Sequence, residues 1–163
     1  MIEKERKSVD YLVINELKKQ SLTISLAESC TGGKIASLMT RKSGASSYFK
    51  GSLVCYSKGS KVNILNISKD LIESKGSFSK EVAREMAISA KLLFNSNIAI
   101  SVTDNAGPTR GDLKKKIGTV FIGIAKYSKV MVHKFSFSGD RDKIIKNAVE
   151  QSFKLIYSDL IKE

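Results

Sequence analysis

The chain has no tryptophan, one proline, one histidine and two cysteines among its 163 residues. The single His133 and the separated Cys30 and Cys55 offer no metal-ligand spacing, and the acidic residues form no matching cluster, so no metal is expected. Two cysteines without a secretion signal argue against a disulfide framework, and both thiols are expected to be reduced. Residues 1–10, MIEKERKSVD, lack the apolar stretch of a secretory leader, and no later apolar run approaches a membrane span. A cytoplasmic protein without membrane partners is the resulting expectation. No internal repeat and no stretch rich in Gly or Pro divides the chain, which predicts one domain over residues 1–163.

What is present fits an ordinary globular domain: 42% of residues are hydrophobic and 27% charged. A chain of this length buries about 70% of its unfolded surface on folding, enough for a real core. The formal charge is +12 and the pI near 9.7, which raises the question of nucleic acid. The cations are scattered, however. The one tight run, Lys114-Lys115-Lys116, has no interleaved aromatics to stack bases, so it reads as solvated surface and nucleic acid is not the expected partner. The positive field would still draw in small anions.

Apolar spacing predicts an amphipathic helix from Glu3 to Lys19, a buried strand in LTISLAE, and a helix in GGKIASLMTRKSG closed by Gly44. A second strand, SYFKGSLVCYS, precedes a short helix in KGSKVNILNIS. The segment SKDLIESKGSFS leads to Ser79, a suitable N-cap for KEVAREMAISAKLLFN. NIAISVTD reads as a third buried strand and NAGPTRGDLKKK as a long loop. Two hairpin strands follow, IGTVFIGIAKYS and KVMVHKFSFSG, and then a long closing helix capped by Asp140 or the glycine before it. This alternation predicts a three-layer α/β/α fold around a mixed sheet.

Chemistry concentrates in SLAESCTGGK, residues 25–34, where a buried strand passes into a helix. The pattern is not a Walker loop, because Glu28 occupies the first glycine position and Ile35 stands where a hydroxyl would hold magnesium. Three readings stand on these residues alone: an anion site at the helix start, a serine nucleophile with backbone donors from Cys30 to Gly33, or a helix merely capped by Ser29 or Thr31. Cys30 is a further nucleophile candidate, without a His partner. Cys55, in an apolar strand, reads as buried and inert. His133 shares a strand face with Met131, Phe135 and Phe137, so it reads as a core or edge residue and no Ser-His-Asp triad is expected. A lysine of lowered pKa would have to act as base. Tyr56, Lys58 and Lys61 stand at a strand end followed by a helix, where α/β sheets collect their sites.

Taken together, LAESCTGG, GASSYFKGSLVCYSKGSK, GSFSKEVAREMA, AGPTRGDLKKKIGTVFIGIA and FSGDRDKI resemble the CinA C-terminal domain family in order and spacing, from about Val9 to Ile156. The resemblance is to its stand-alone, PncC-like form, since the larger members carry an additional N-terminal domain. It implies a compact α/β/α amidohydrolase that converts nicotinamide mononucleotide to nicotinic acid mononucleotide and ammonia without a cofactor. It also implies a homo-oligomer, with a dimer as the expected form. By the same resemblance Ser29 is the nucleophile, Lys61 its activating base, and Tyr56 orients the lysine or relays a proton. Backbone around Thr31, Gly32 and Gly33 would hold an oxyanion or the substrate phosphate. Ser46 and Ser47 of the GASS turn and the Ala106-Gly107-Pro108 loop would wall the pocket, Arg141 matches an arginine of the family's GDR segment, and Thr103 either contacts substrate or is structural.

The chain departs from the family's Thr-Gly-aliphatic-Ala-Gly-Pro segment at Asp104 and Asn105, and at Ile145, where a second arginine is common. These departures motivate the alternative of a catalytically altered or inactive domain that binds a nucleotide or a protein partner.

Overall fold

The computed structural model describes residues 8–106 and 116–162. Its elements are α1 (Val9–Lys19), β1 (Ile24–Glu28), α2 (Lys34–Thr40), β2 (Phe49–Val54), α3 (Lys58–Asn63), α4 (Lys69–Lys75), α5 (Lys80–Phe94), β3 (Ile98–Asp104), β4 (Thr119–Lys126), β5 (Lys129–Ser136) and α6 (Arg141–Leu160). The five strands form one sheet in the order β2-β1-β3-β4-β5. β1 runs parallel to β2 and β3, while β3, β4 and β5 pair antiparallel. Helices cover both faces, giving the three-layer α/β/α domain with a mixed sheet that the pattern of elements predicted.

The two faces of the sheet are built from different side chains. One carries large aliphatics, Ile24, Leu26, Ile98, Ile100, Val102, Val120, Ile122 and Ile124, packed against α1, α2 and α6. The other is lined by small residues. Ser25 and Ala27 of β1, Ala99 and Ser101 of β3, and Gly123 and Ala125 of β4 lie side by side in register, and α5 answers them with Ala83, Ala87 and Ala90. The helix comes close enough for Ser101 Oγ to donate to the Ala83 carbonyl and Ser25 Oγ to that of Ala90. Buried serines on this face are thereby satisfied by helix carbonyls.

Local chemistry sets most boundaries. Ser79 accepts the Val82 N–H at the start of α5, and Asp140 accepts that of Lys143 at the start of α6. The hairpin between β4 and β5 turns through Tyr127 at φ 52°. Two expectations need correction. The helix expected to run to Gly44 stops at Thr40, and left-handed Gly44 instead opens a short 3-10 turn, Ala45–Ser47. Tyr48 anchors that exit by donating its hydroxyl to the Met39 carbonyl. The segment read as a lead into Ser79 contains α4, whose Ser68 N-cap accepts the Leu71 N–H. The first residues of the predicted opening helix lie outside the described residues, as does most of the NAGPTRGDLKKK loop.

The close approach of α5 yields a test. A methyl group at Gly123 would sit 2.6 Å from Ser101 Oγ and 2.7 Å from the Ala83 carbonyl oxygen, so the helix would have to lift. Gly123→Ala is expected to lower stability by about 1–3 kcal/mol, read from the midpoint of urea unfolding, with secondary structure content unchanged by circular dichroism.

Candidate active site

The parallel strands end together. β1 hands over to Ser29, β2 to Cys55 and Tyr56, and β3 ends at Asp104. The order β2-β1-β3 means that the chain leaves β1 toward one neighbour and returns on its other side, which is the position where open α/β sheets hold ligands. A cleft of about 200 Å³ lies there, lined by Ser29, Cys30, Tyr56, Lys61, Asp104 and Arg141, with Thr103, Asn105, Ala106 and the Ser77-Phe78 loop completing its wall.

The turn after β1 is organised by Glu28, whose carboxylate is fully buried. It accepts the N–H groups of Gly33 (3.0 Å), Ile35 (3.2 Å) and Ala36 (2.9 Å), and the Ser52 hydroxyl at 3.3 Å. The preceding strand thus caps α2, and neither Ser29 nor Thr31 does. Helix α2 starts from Gly33 at φ 89°, after Gly32 at φ 57°, left-handed backbone that glycine adopts without strain. In the sequence, Glu28 stands out only as a mismatch to the Walker pattern. Its signal, a carboxylate at the end of a buried strand five residues before a helical amide, is legible only once the turn is known.

With the helix amides taken by Glu28, the groups around Ser29 are free for other work. Ser29 N–H donates to the Val102 carbonyl, Gly32 N–H to that of Ser29, and Lys34 N–H to that of Thr31. Gly32 and Gly33 therefore spend their donors inside the turn rather than on a ligand. Among the described residues, the Cys30 and Thr31 amides carry no partner. The Thr31 side chain is fully buried and its hydroxyl unpaired.

Lys61 is the least expected occupant of this core, only 2% exposed on the short helix α3. Its Nζ lies 2.9 Å from the Cys55 carbonyl, 3.4 Å from the Tyr56 carbonyl and 3.2 Å from Ser29 Oγ. Burial holds the amine below the ordinary lysine range, against smaller opposing effects of Cys55, Asp104 and Cys30. Two backbone carbonyls and the Ser29 hydroxyl thus surround the amine.

The other residues divide clearly. Tyr56 reaches Lys61 through its carbonyl, while its exposed ring turns outward and its hydroxyl accepts from Arg141 at 3.0 Å. Arg141, at the first position of α6, stands at the cleft wall. Asp104 is 9% exposed, and burial pushes its carboxyl up to about 6, against the lowering effects of Cys30, Arg141 and Lys61. The Cys30 thiol is driven well above its usual range by burial and then by the Asp104 charge, so it is no thiolate nucleophile. Cys55 is buried, as expected.

Thr103 Oγ1 donates to the Ser77 carbonyl, so this threonine ties the wall together while lining it. Ala106 lines the cleft and Gly107 lies outside the described residues. Ser46 and Ser47 are not brought to the cleft: their turn precedes Phe49, which pairs with Ile24 at the opposite end of β1 from Ser29. Ile145 packs in the core at 5% exposure. His133 lies on edge strand β5, stacked with Phe135 at 6.5 Å.

Comparison with known proteins adds the lineage. A family model described as the CinA C-terminal domain matches residues 6–160. A CinA-like protein of Flavobacterium psychrophilum is 44% identical over 158 residues, covering 97% of this chain and 38% of that protein. One of Petrotoga mobilis is 41% identical over 96% of this chain and 39% of its own length. The chain therefore spans under about two-fifths of these curated relatives. Among solved structures, a competence or damage-inducible protein from Enterobacter asburiae superposes with a TM-score of 0.90 at 26% identity, covering 95% of this chain and 99% of that one. The competence/damage inducible protein CihA from Agrobacterium tumefaciens gives 0.87 at 27% identity, covering 94% and 96%.

The role of Glu28 can be measured apart from any activity. Glu28→Ala strands three amides at once, that of Ile35 buried and those of Gly33 and Ala36 half-buried, and is expected to cost about 3 kcal/mol. Glu28→Gln, which keeps one acceptor oxygen, should lose less. Urea denaturation of the two variants gives the order, and equal stabilities would contradict the capping role.

Proposed function

The chain belongs to the CinA C-terminal domain family, and on that premise we propose that it is an amidohydrolase that deamidates nicotinamide mononucleotide to nicotinic acid mononucleotide and ammonia. The observation that carries this reading is the buried Lys61 amine 3.2 Å from Ser29 Oγ. A desolvated lysine beside a serine, with carbonyls on its two remaining sides, is arranged to take a proton at neutral pH.

In this reading Ser29 Oγ attacks the carboxamide carbon while its proton passes to Lys61. The carbonyl oxygen gains the negative charge, and the unpaired Cys30 and Thr31 amides are the donors placed to receive it. Collapse of the tetrahedral species breaks the C–N bond, and the amine leaves as ammonia with the proton that Lys61 carried. Water then attacks the acyl ester with Lys61 again as base, which releases the carboxylic acid and restores Ser29. The small cleft suits the pyridine ring and its amide, with the ribose phosphate at the mouth beside Arg141 and Tyr56.

A domain that binds the nucleotide without turning it over is the second reading, favoured by the departures from the family pattern at Asp104 and Asn105 in the cleft wall and at Ile145, which packs in the core where a second arginine is common. Incubation of the protein with nicotinamide mononucleotide separates the two. Release of ammonia that falls about a thousandfold or more in Ser29→Ala and in Lys61→Met is expected, whereas tight binding with no ammonia favours the second reading. Because the lysine must be neutral, the rate should climb with pH and level off below the ordinary lysine range. A rate that instead falls as pH rises from 6 to 9 contradicts Lys61 as the base.

A further inference from the structure

Asp104 is a charged group of the cleft wall that the hydrolytic steps leave unused. Both its carboxylate oxygens are buried and neither accepts a hydrogen bond of ordinary geometry. The Cys30 thiol beside it is a weak donor. A carboxylate stripped of water and left without donors costs free energy unless something supplies them. It sits at the end of β3, next to the strand that delivers Ser29, and lines the same cleft. Arg141 from α6 acts on it through charge, as does Lys61 from α3 when that amine is protonated.

A primary carboxamide and its hydrolysis product differ in what they offer such a group. The amide presents two N–H donors and no charge; the product presents two acceptor oxygens and a negative charge. If the amide oxygen faces the Cys30 and Thr31 amides, its NH₂ group needs an acceptor elsewhere on the wall, and Asp104 is an acceptor without a donor.

Resting on the hydrolase reading, we propose that Asp104 is a specificity-determining residue that accepts a hydrogen bond from the NH₂ of a primary carboxamide and repels the carboxylate formed from it. One side chain then serves both ends of the reaction. It selects neutral amides over acids on entry, and it drives the acid out once the C–N bond is broken. The raised carboxyl, at about 6, keeps this discrimination in force at neutral pH and removes it in mild acid.

The test is calorimetric and needs no turnover. In a Ser29→Ala background, binding of nicotinamide mononucleotide and of nicotinic acid mononucleotide is measured from pH 5 to pH 8, with Asp104 retained and with Asp104→Asn. The shared ribose phosphate titrates alike in both ligands, so the ratio of their affinities isolates the amide end. With Asp104 the ratio should favour the amide at pH 8 and shrink by about tenfold toward pH 5. Asp104→Asn should lower the pH 8 ratio by about tenfold and flatten its pH dependence. A ratio that Asp104→Asn leaves unmoved overturns the proposal.

Ammonia release by the unsubstituted protein reports on the hydrolase reading separately. Ammonia with an unmoved ratio leaves the hydrolase and removes the role of Asp104. A ratio that moves without ammonia leaves a site selective for amides in a domain that does not hydrolyse them.

Discussion

The buried carboxylate of Glu28 is the constraint on which the rest of the site depends. A helix that starts inside a domain must satisfy its first amides, and here the last residue of the preceding strand does so across the turn. That arrangement removes the usual duty of a hydroxyl at this position. Ser29 is left to face Lys61, and the Cys30 and Thr31 amides are left without internal partners. Ser29, Lys61 and these amides converge at one strand end because a residue one position earlier satisfies the start of α2.

The sheet supplies the second requirement, a buried place where desolvation lowers the pKa of a lysine. On one face large aliphatics meet three helices, and on the other small residues admit α5 into near contact. The Cys55 N–H donates to the Glu28 carbonyl at the β1–β2 junction, and the carbonyls of Cys55 and Tyr56 that follow are presented to Lys61. The desolvation that lowers the Lys61 pKa is thus a property of the whole core, while its direction of aim comes from three short contacts.

Much of this was legible in the residue pattern. LTISLAE and NIAISVTD indicated buried strands, Ser79 and Asp140 announced their helices, and Tyr56 and Lys61, at a strand end followed by a helix, pointed to the region where the cleft lies. What was not legible was long-range. Local propensity assigns Ser29 or Thr31 as the cap, because a hydroxyl near a helix start usually serves that end; only the folded turn brings the Glu28 carboxylate back over α2. The GASS segment looked like pocket wall because order along the chain carries no information about which end of a parallel strand a loop occupies. α4 escaped notice since seven residues give too little periodicity to stand out from a loop. Asp104 could be seen as a departure, but not as a buried group without donors.

The proposed hydrolysis requires covalent chemistry at Ser29 driven by Lys61. Rapid-quench mass spectrometry of the protein mixed with nicotinamide mononucleotide tests it most directly. The account predicts a transient acyl ester on the peptide that carries Ser29, formed before ammonia reaches its steady rate and absent in Lys61→Met. Steady ammonia release with no acyl ester at any time, undiminished in Ser29→Ala, would contradict it.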